Sequence, residues 1–192
     1  MAQKIEIISN AMVLIGANPI SNLDEGTEGR VAEALYENTY RGLLANHSWR
    51  FATKKARLAR ISEPPLNEYR YQYQLPSDLV TVFKVQDQTR YEIYGDKIYS
   101  DQEEVYIDYR YRVPETLLPD YYVLTLQFLL AAQFAIPITD NSQRAQVYNQ
   151  MYEDQLKRAK GVDSSARPQT PIQDDPLAGI NRWLDHNYYK IA

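Results

Sequence analysis

The amino-acid sequence predicts an α+β fold: a four-helix bundle with an antiparallel β-sheet inserted between its second and third helices, followed by an extended C-terminal tail. Three observations lead there. Apolar residues recur at helical spacing at both ends of the body, the period falls to two in the middle, and beyond Gly161 the aliphatic residues thin out while Pro168, Pro171 and Pro176 appear. The boundaries that follow are residues 1–48 and 114–161 for the helical bundle, 49–113 for the inserted sheet and 162–192 for the tail.

Ile5, Ile8, Met12 and Ile15 mark the first helix, and Gly16 stands where a left-handed cap would close it. Pro19 and the polar run from Asn22 to Gly29 make a loop. Val31, Ala34, Leu35 and Leu43 then mark a second amphipathic helix ending near Asn46, and the two helices are expected to form an antiparallel hairpin.

After Trp49 the pattern is that of half-buried strands. From Tyr69 to Leu75 every odd position is aromatic or aliphatic, and Val105, Ile107, Tyr109, Tyr111 and Val113 alternate with Tyr106, Asp108, Arg110 and Arg112. Leu79 to Val85 reads as a further strand, Gly95-Asp96 as the turn of a tight hairpin, and Arg57 to Ile61 as an additional short strand. Pro64, Pro65 and Pro76 suit an antiparallel sheet with turns better than parallel βαβ units.

Pro119 opens a third helix in which Tyr122, Val123, Leu126, Leu129, Leu130 and Phe134 leave little polar face. It is expected to stop before Pro137, too short and too interrupted to cross a bilayer, and so to be the central core helix. Asp140, with Gln143 as reciprocal partner, is expected to cap a fourth helix that presents Ala145, Tyr148, Tyr152 and Ala159 on one side and ends at Gly161. In the tail, Asp175-Pro176 imitates a helix start and Leu177, Ile180, Trp183 and Leu184 share one face. A face of that kind gains order only against a partner, so the body is expected to fold without the tail and the tail to dock elsewhere.

Composition narrows the function. Of 192 residues 44% are hydrophobic and 24% charged, so most of the chain folds. A net charge of −4 supplies no field for free nucleic acid or an anionic membrane. With no cysteine and only His47 and His186, thiolate chemistry and a structural zinc site are excluded, and no cofactor or metal is expected. The stretch from Met1 to Ile15 lacks the unbroken apolar core of a signal peptide, which predicts folding in the cytoplasm.

Two features invite a binding role. Seventeen tyrosines stand against four phenylalanines; tyrosine suits either a sheet with one wet face or a surface buried on assembly. Arg50, Lys54, Lys55, Arg57 and Arg60 form a basic run with no acid between Asn46 and Ser62, open to three readings: DNA phosphates, a neighbouring subunit, or a solvated face. For catalysis, the neighbouring acids Asp24-Glu25, Glu103-Glu104 and Asp174-Asp175 lie in turn-like contexts and point apart rather than across a cleft. His47 beside Trp49 has no nucleophile near it in sequence and reads as structural. The chain is therefore not expected to be an enzyme.

Several stretches, in order, carry a likeness: Ala11 to Leu23, His47 to Ala52, Lys55 to Ala59, Tyr73 to Asp78, and Ala131 to Thr139 ahead of Tyr148 to Ala159. Together they resemble the tail tubular protein A family, the head-to-tail adaptors of podoviruses, over nearly the whole chain. The resemblance implies a structural virion protein of the tail or neck, assembled in the host cytoplasm. It would form a homo-oligomeric ring, a dodecamer in the family, between the portal protein and a nozzle like tail tubular protein B, with tail fibres as further partners. Double-stranded DNA would pass non-specifically through its lumen, with no membrane involved. The alternative from the enzyme class is a virion-associated peptidoglycan hydrolase.

Overall fold

The computed structural model describes residues 3–24, 26–86 and 90–165. Among them run the helices α1 (Lys4–Leu14), α2 (Gly26–Ala45), α3 (Asp120–Thr139) and α4 (Ser142–Ser165). Between α2 and α3 come the strands β1 (Thr53–Arg57), β2 (Ala59–Arg60), β3 (Tyr71–Gln74), β4 (Leu79–Val85), β5 (Tyr91–Tyr94), β6 (Lys97–Ser100) and β7 (Tyr106–Tyr111).

The expected four-helix bundle with one inserted sheet does not form. The protein is an α+β mix in which α1, α2 and α4 each pack on α3, and the strands make two antiparallel sheets, ordered β1-β7-β4 and β2-β3-β6-β5. The reasons are physical. A helix apolar nearly all round needs neighbours on every side, so α3 takes the centre and the expected α1–α2 hairpin gives way to separate contacts with it. A single sheet with one apolar face would leave that face bare. Here the inner faces meet across Leu58, Tyr73, Leu75, Val85, Ile98, Val105, Ile107 and Tyr109.

The three-stranded sheet also joins the helical core, because Val113 just beyond β7 is buried in it and Val80 and Tyr111 pack against it. Trp49 sits at this joint, fully buried, its indole N–H donating to the Leu43 carbonyl at 2.9 Å. Its ring lies 5.2 Å from Tyr122 and 5.9 Å from Phe51. Close by, the Arg112 guanidinium lies 3.8 Å above Tyr40 and binds Glu115 at 2.7 Å and Glu37 at 3.1 Å. Sheet, α2 and the turn before α3 are thereby tied together.

Helix boundaries differ from expectation at four places, the first being α2, which already begins at Gly26 inside the run expected to be a loop. The third helix passes through Pro137 to Thr139; a proline in the last turn removes one hydrogen bond, and Asp140, left-handed at φ 47°, closes the end while the Asn141 N–H reaches Ala135. Asp140 therefore ends α3, and Asn141 caps α4 by accepting the Arg144 N–H at 2.9 Å. Helix α4 also continues past Gly161 to Ser165, because Asp163 is anchored at its far end. At 20 residues α3 is long and apolar enough to cross a membrane; here Tyr122, Leu126, Leu130 and Phe134 are fully buried in the helical core.

Candidate functional site: a basic edge strand beside a polar cleft

The basic run does not form one cationic stripe, because strand alternation sends its side chains to different faces. On β1, Lys54 Nζ lies 2.7 Å from Asp78 and 3.7 Å above the Tyr111 ring. Lys55, opposite Asp108 in the register, is 3.9 Å from that carboxylate, and Arg57 is 2.7 Å from Glu104. Arg60 on β2 lies 4.1 Å over Tyr71. Each of these four cations thus has an internal neighbour, and Arg50 binds Asp163 through its backbone N–H at 3.1 Å. The tips remain outward: the side chains of Lys55 and Arg57 are 73% and 62% exposed, whereas that of Asp108 beneath Lys55 is 12% exposed.

Beside β1 opens a cleft of about 650 Å³, lined by His47, Arg50, Lys55, Phe83, Asp108 and Asp163 among others. Asp163 is buried and also accepts the Tyr121 hydroxyl at 2.8 Å, so it pins the end of α4 to the 3-10 turn Arg50–Ala52 and to α3. His47 Nε2 stands 3.8 Å from it. Burial, helped by Lys160 and Arg110, holds the imidazole below its ordinary pKa in spite of Asp163. His47 is therefore neutral at neutral pH and rests edge-on against Trp49 at 4.8 Å, a structural position. Asp108 is buried with no hydrogen-bond partner on Oδ1, and Arg110 binds the Ala45 carbonyl and Ser48 while its Nε is unpartnered.

The sequence reading missed this pair of buried acids. Asp163 lay at the margin of what read as a tail, and Asp108 stood on what alternation marked as the wet face. A signal for Asp108 exists in hindsight: an acid directly cross-strand from a lysine. The acidic pair Glu103-Glu104 is exposed in a loop, Glu104 serving Arg57, and forms no facing pair. Asp24 is exposed, and Asp174 and Asp175 lie outside the described residues, as do the docking residues Leu177, Ile180, Trp183 and Leu184. Among the described residues no group of three or more His, Asp or Glu side chains is placed to hold a metal ion.

The tyrosines divide. Tyr36, Tyr40, Tyr73 and Tyr122 are fully buried, whereas Tyr91, Tyr94 and Tyr106 remain exposed. Compared with known proteins, the chain matches no family model and no curated protein.

Proposed function

We propose that the chain is one subunit of a podovirus head-to-tail adaptor ring, joining portal to nozzle and surrounding the passage for DNA. The observation that carries this reading is the ordered series of segments from Ala11 to Ala159 that resembles the adaptor family. In the fold these segments are framework: Arg144 and Tyr148 donate to the Ile15 and Leu14 carbonyls, Trp49 fills the joint, and Asp78 holds Lys54 and Tyr109. Framework residues of this kind suit a building block. The basic tips on β1 offer weak, salt-sensitive contact to DNA phosphates or to a neighbour.

The test is co-sedimentation with portal rings and the yield of tailed particles. Wild-type protein binds, and changing Trp183→Ala together with Leu184→Ser weakens binding by about 2 kcal/mol or more per anchor. Unaltered binding would place the joining surface in the helices or sheets; no binding by the wild type would end the adaptor reading.

A second reading, cell-wall hydrolysis, draws support from one observation: Asp108 and Asp163 line the same cleft. Its test is a zymogram on peptidoglycan with wild type, Asp108→Asn and Asp163→Asn. Clearing by the wild type that both variants lose would favour the hydrolase.

A further inference from the structure

The two sheets have four outer edges, and a sheet edge carries unpaired backbone groups that will add a strand unless something prevents it. Two of the four are closed to a further strand, and a third, β1, is charged so that it refuses every edge but an acidic one. Strand β2 has only two residues. Strand β4 breaks register twice, between Leu79 and Thr81 and between Val82 and Lys84, and has α2 packed near it. Strand β1 carries Lys54, Lys55 and Arg57 within five residues. The fourth edge is different. Strand β5 pairs with β6 through Tyr91, Glu92, Ile93 and Tyr94 without irregularity, contains no lysine or proline, and has no strand on its outer side among the described residues. It also leaves Tyr91, Ile93 and Tyr94 exposed by 40%, 42% and 57%.

The chemistry of this edge matches that of β1. Glu92 accepts the Tyr94 hydroxyl at 2.6 Å and is in no ion pair among the described residues, whereas Glu68 nearby is already paired with Arg90, just before β5. An edge of tyrosine rings with the carboxylate of Glu92 complements the outward lysines and arginine of β1. Within the chain the same chemistry already recurs, with Lys54 over Tyr111 and Arg60 over Tyr71. The two edges cannot satisfy each other in one molecule. Only Leu58 separates β1 from β2, so those two edges share a corner, and β5 lies three strand spacings, about 14 Å, across the second sheet from β2.

We propose that the outer edge of β5 pairs with the outer edge of β1 on a second copy of this chain, head to tail, extending the sheets from subunit to subunit. Different surfaces on opposite margins make a heterologous contact, which closes into a ring when the rotation allows. The inference rests on the ring-adaptor reading and supplies its side-to-side joint.

The chain has no cysteine, so engineered disulfides report this contact without background. Single variants Glu92→Cys, Ile93→Cys and Tyr94→Cys are mixed with Lys54→Cys, Lys55→Cys and Arg57→Cys at millimolar concentration and oxidised, with sedimentation velocity run in parallel. The expected result is an intermolecular bond for register-matched β5–β1 pairs, and a ladder of covalent multimers when both cysteines are in one chain. Independently, Glu92→Lys or Lys55→Glu alone weakens self-association by about fivefold per contact, and the two combined in one chain restore it. Lys55 is exposed and Glu92 half-buried, so unchanged melts of the monomers are required to confirm that folding is intact. Cross-links only between like positions, an oligomer with no β5–β1 link, or a chain monomeric at every concentration would each overturn the inference. In the second case the adaptor reading survives, since portal binding tests it separately.

Discussion

The helical core and the paired sheets solve the same problem differently. The helical core seals Trp49, Tyr36, Tyr40, Tyr122 and Phe134 from solvent around α3, whereas the cluster between the sheets is smaller and its largest fully sealed side chain is Tyr73. Polar groups follow the same division. In the helical region tyrosine hydroxyls reach backbone carbonyls, as Tyr40 does at Val113 and Tyr122 at Tyr40. On the sheets most charged contacts lie at the surface, as with Arg57–Glu104 and Arg90–Glu68. The contrast teaches that the helices provide rigidity by burial, while the sheets present edges and rings to the outside.

The sharpest way to break this contrast is to delete one large side chain from each region. Trp49→Ala should cost about 3–5 kcal/mol, because it empties the joint where helices and sheet meet. Ile98→Ala should cost less, about 2 kcal/mol, since an open two-layer region relaxes around a lost side chain more readily. Urea unfolding of both variants measures the difference, and equal losses would mean that the sheets are as tightly committed as the helices.

The Arg112 cluster tests how firmly the two regions are tied. Burial pushes the Glu37 and Glu115 carboxyls up, but hydrogen bonds from Arg112 outweigh it and hold both below the usual carboxylate range. A carboxyl depressed in the folded state contributes stability that is fully present above its unfolded pKa and is lost as pH falls through the folded one. Melting temperature should therefore fall from neutral into acid pH, and Arg112→Met should flatten that acid dependence. At neutral pH the substitution should cost about 2 kcal/mol, under the range for fully buried pairs, because Glu37 is nearly half exposed.

Truncation sharpens the comparison at the end of α4. A chain ending at Ser165 should keep the cooperative melt of the whole protein. One ending at Gly161 loses Asp163 and its bonds to Arg50 and Tyr121, and should melt earlier by a loss of about 1–3 kcal/mol. Identical melts would mean that the Asp163 pin contributes nothing. The smallest effect belongs to the surface of β1: Lys55→Ala and Arg57→Ala should each change stability by no more than about 0.5 kcal/mol, since their ion pairs are largely in water. A larger loss would show that the sheets, too, depend on internal electrostatics.

Local pattern by itself determined most of where this protein is helical and where extended, although β1 from Thr53 to Ala56 and the first turn of α2 went unread. The apolar face of α1, the all-round apolar α3, the alternation in β3 and β7 and the hairpin turn at Gly95 are properties of neighbouring residues, and neighbours are what a sequence displays. Helix ends were legible to within a turn, and misplaced where a tertiary contact overruled local grammar: Asp163 carries α4 past Gly161, and Asp140 in a left-handed conformation closes α3 instead of opening α4. Partners were not legible. Hydrophobic periodicity identifies a face but not what it meets, so one expected sheet became two facing each other, and an expected bundle became three helices around α3. The cleft was hidden for the same reason, since Asp108 and Asp163 come together only when β7 and the end of α4 converge on the turn after Trp49. Which tyrosines are sealed and which stay exposed was likewise decided by packing, because burial belongs to the assembled layers and not to the residue.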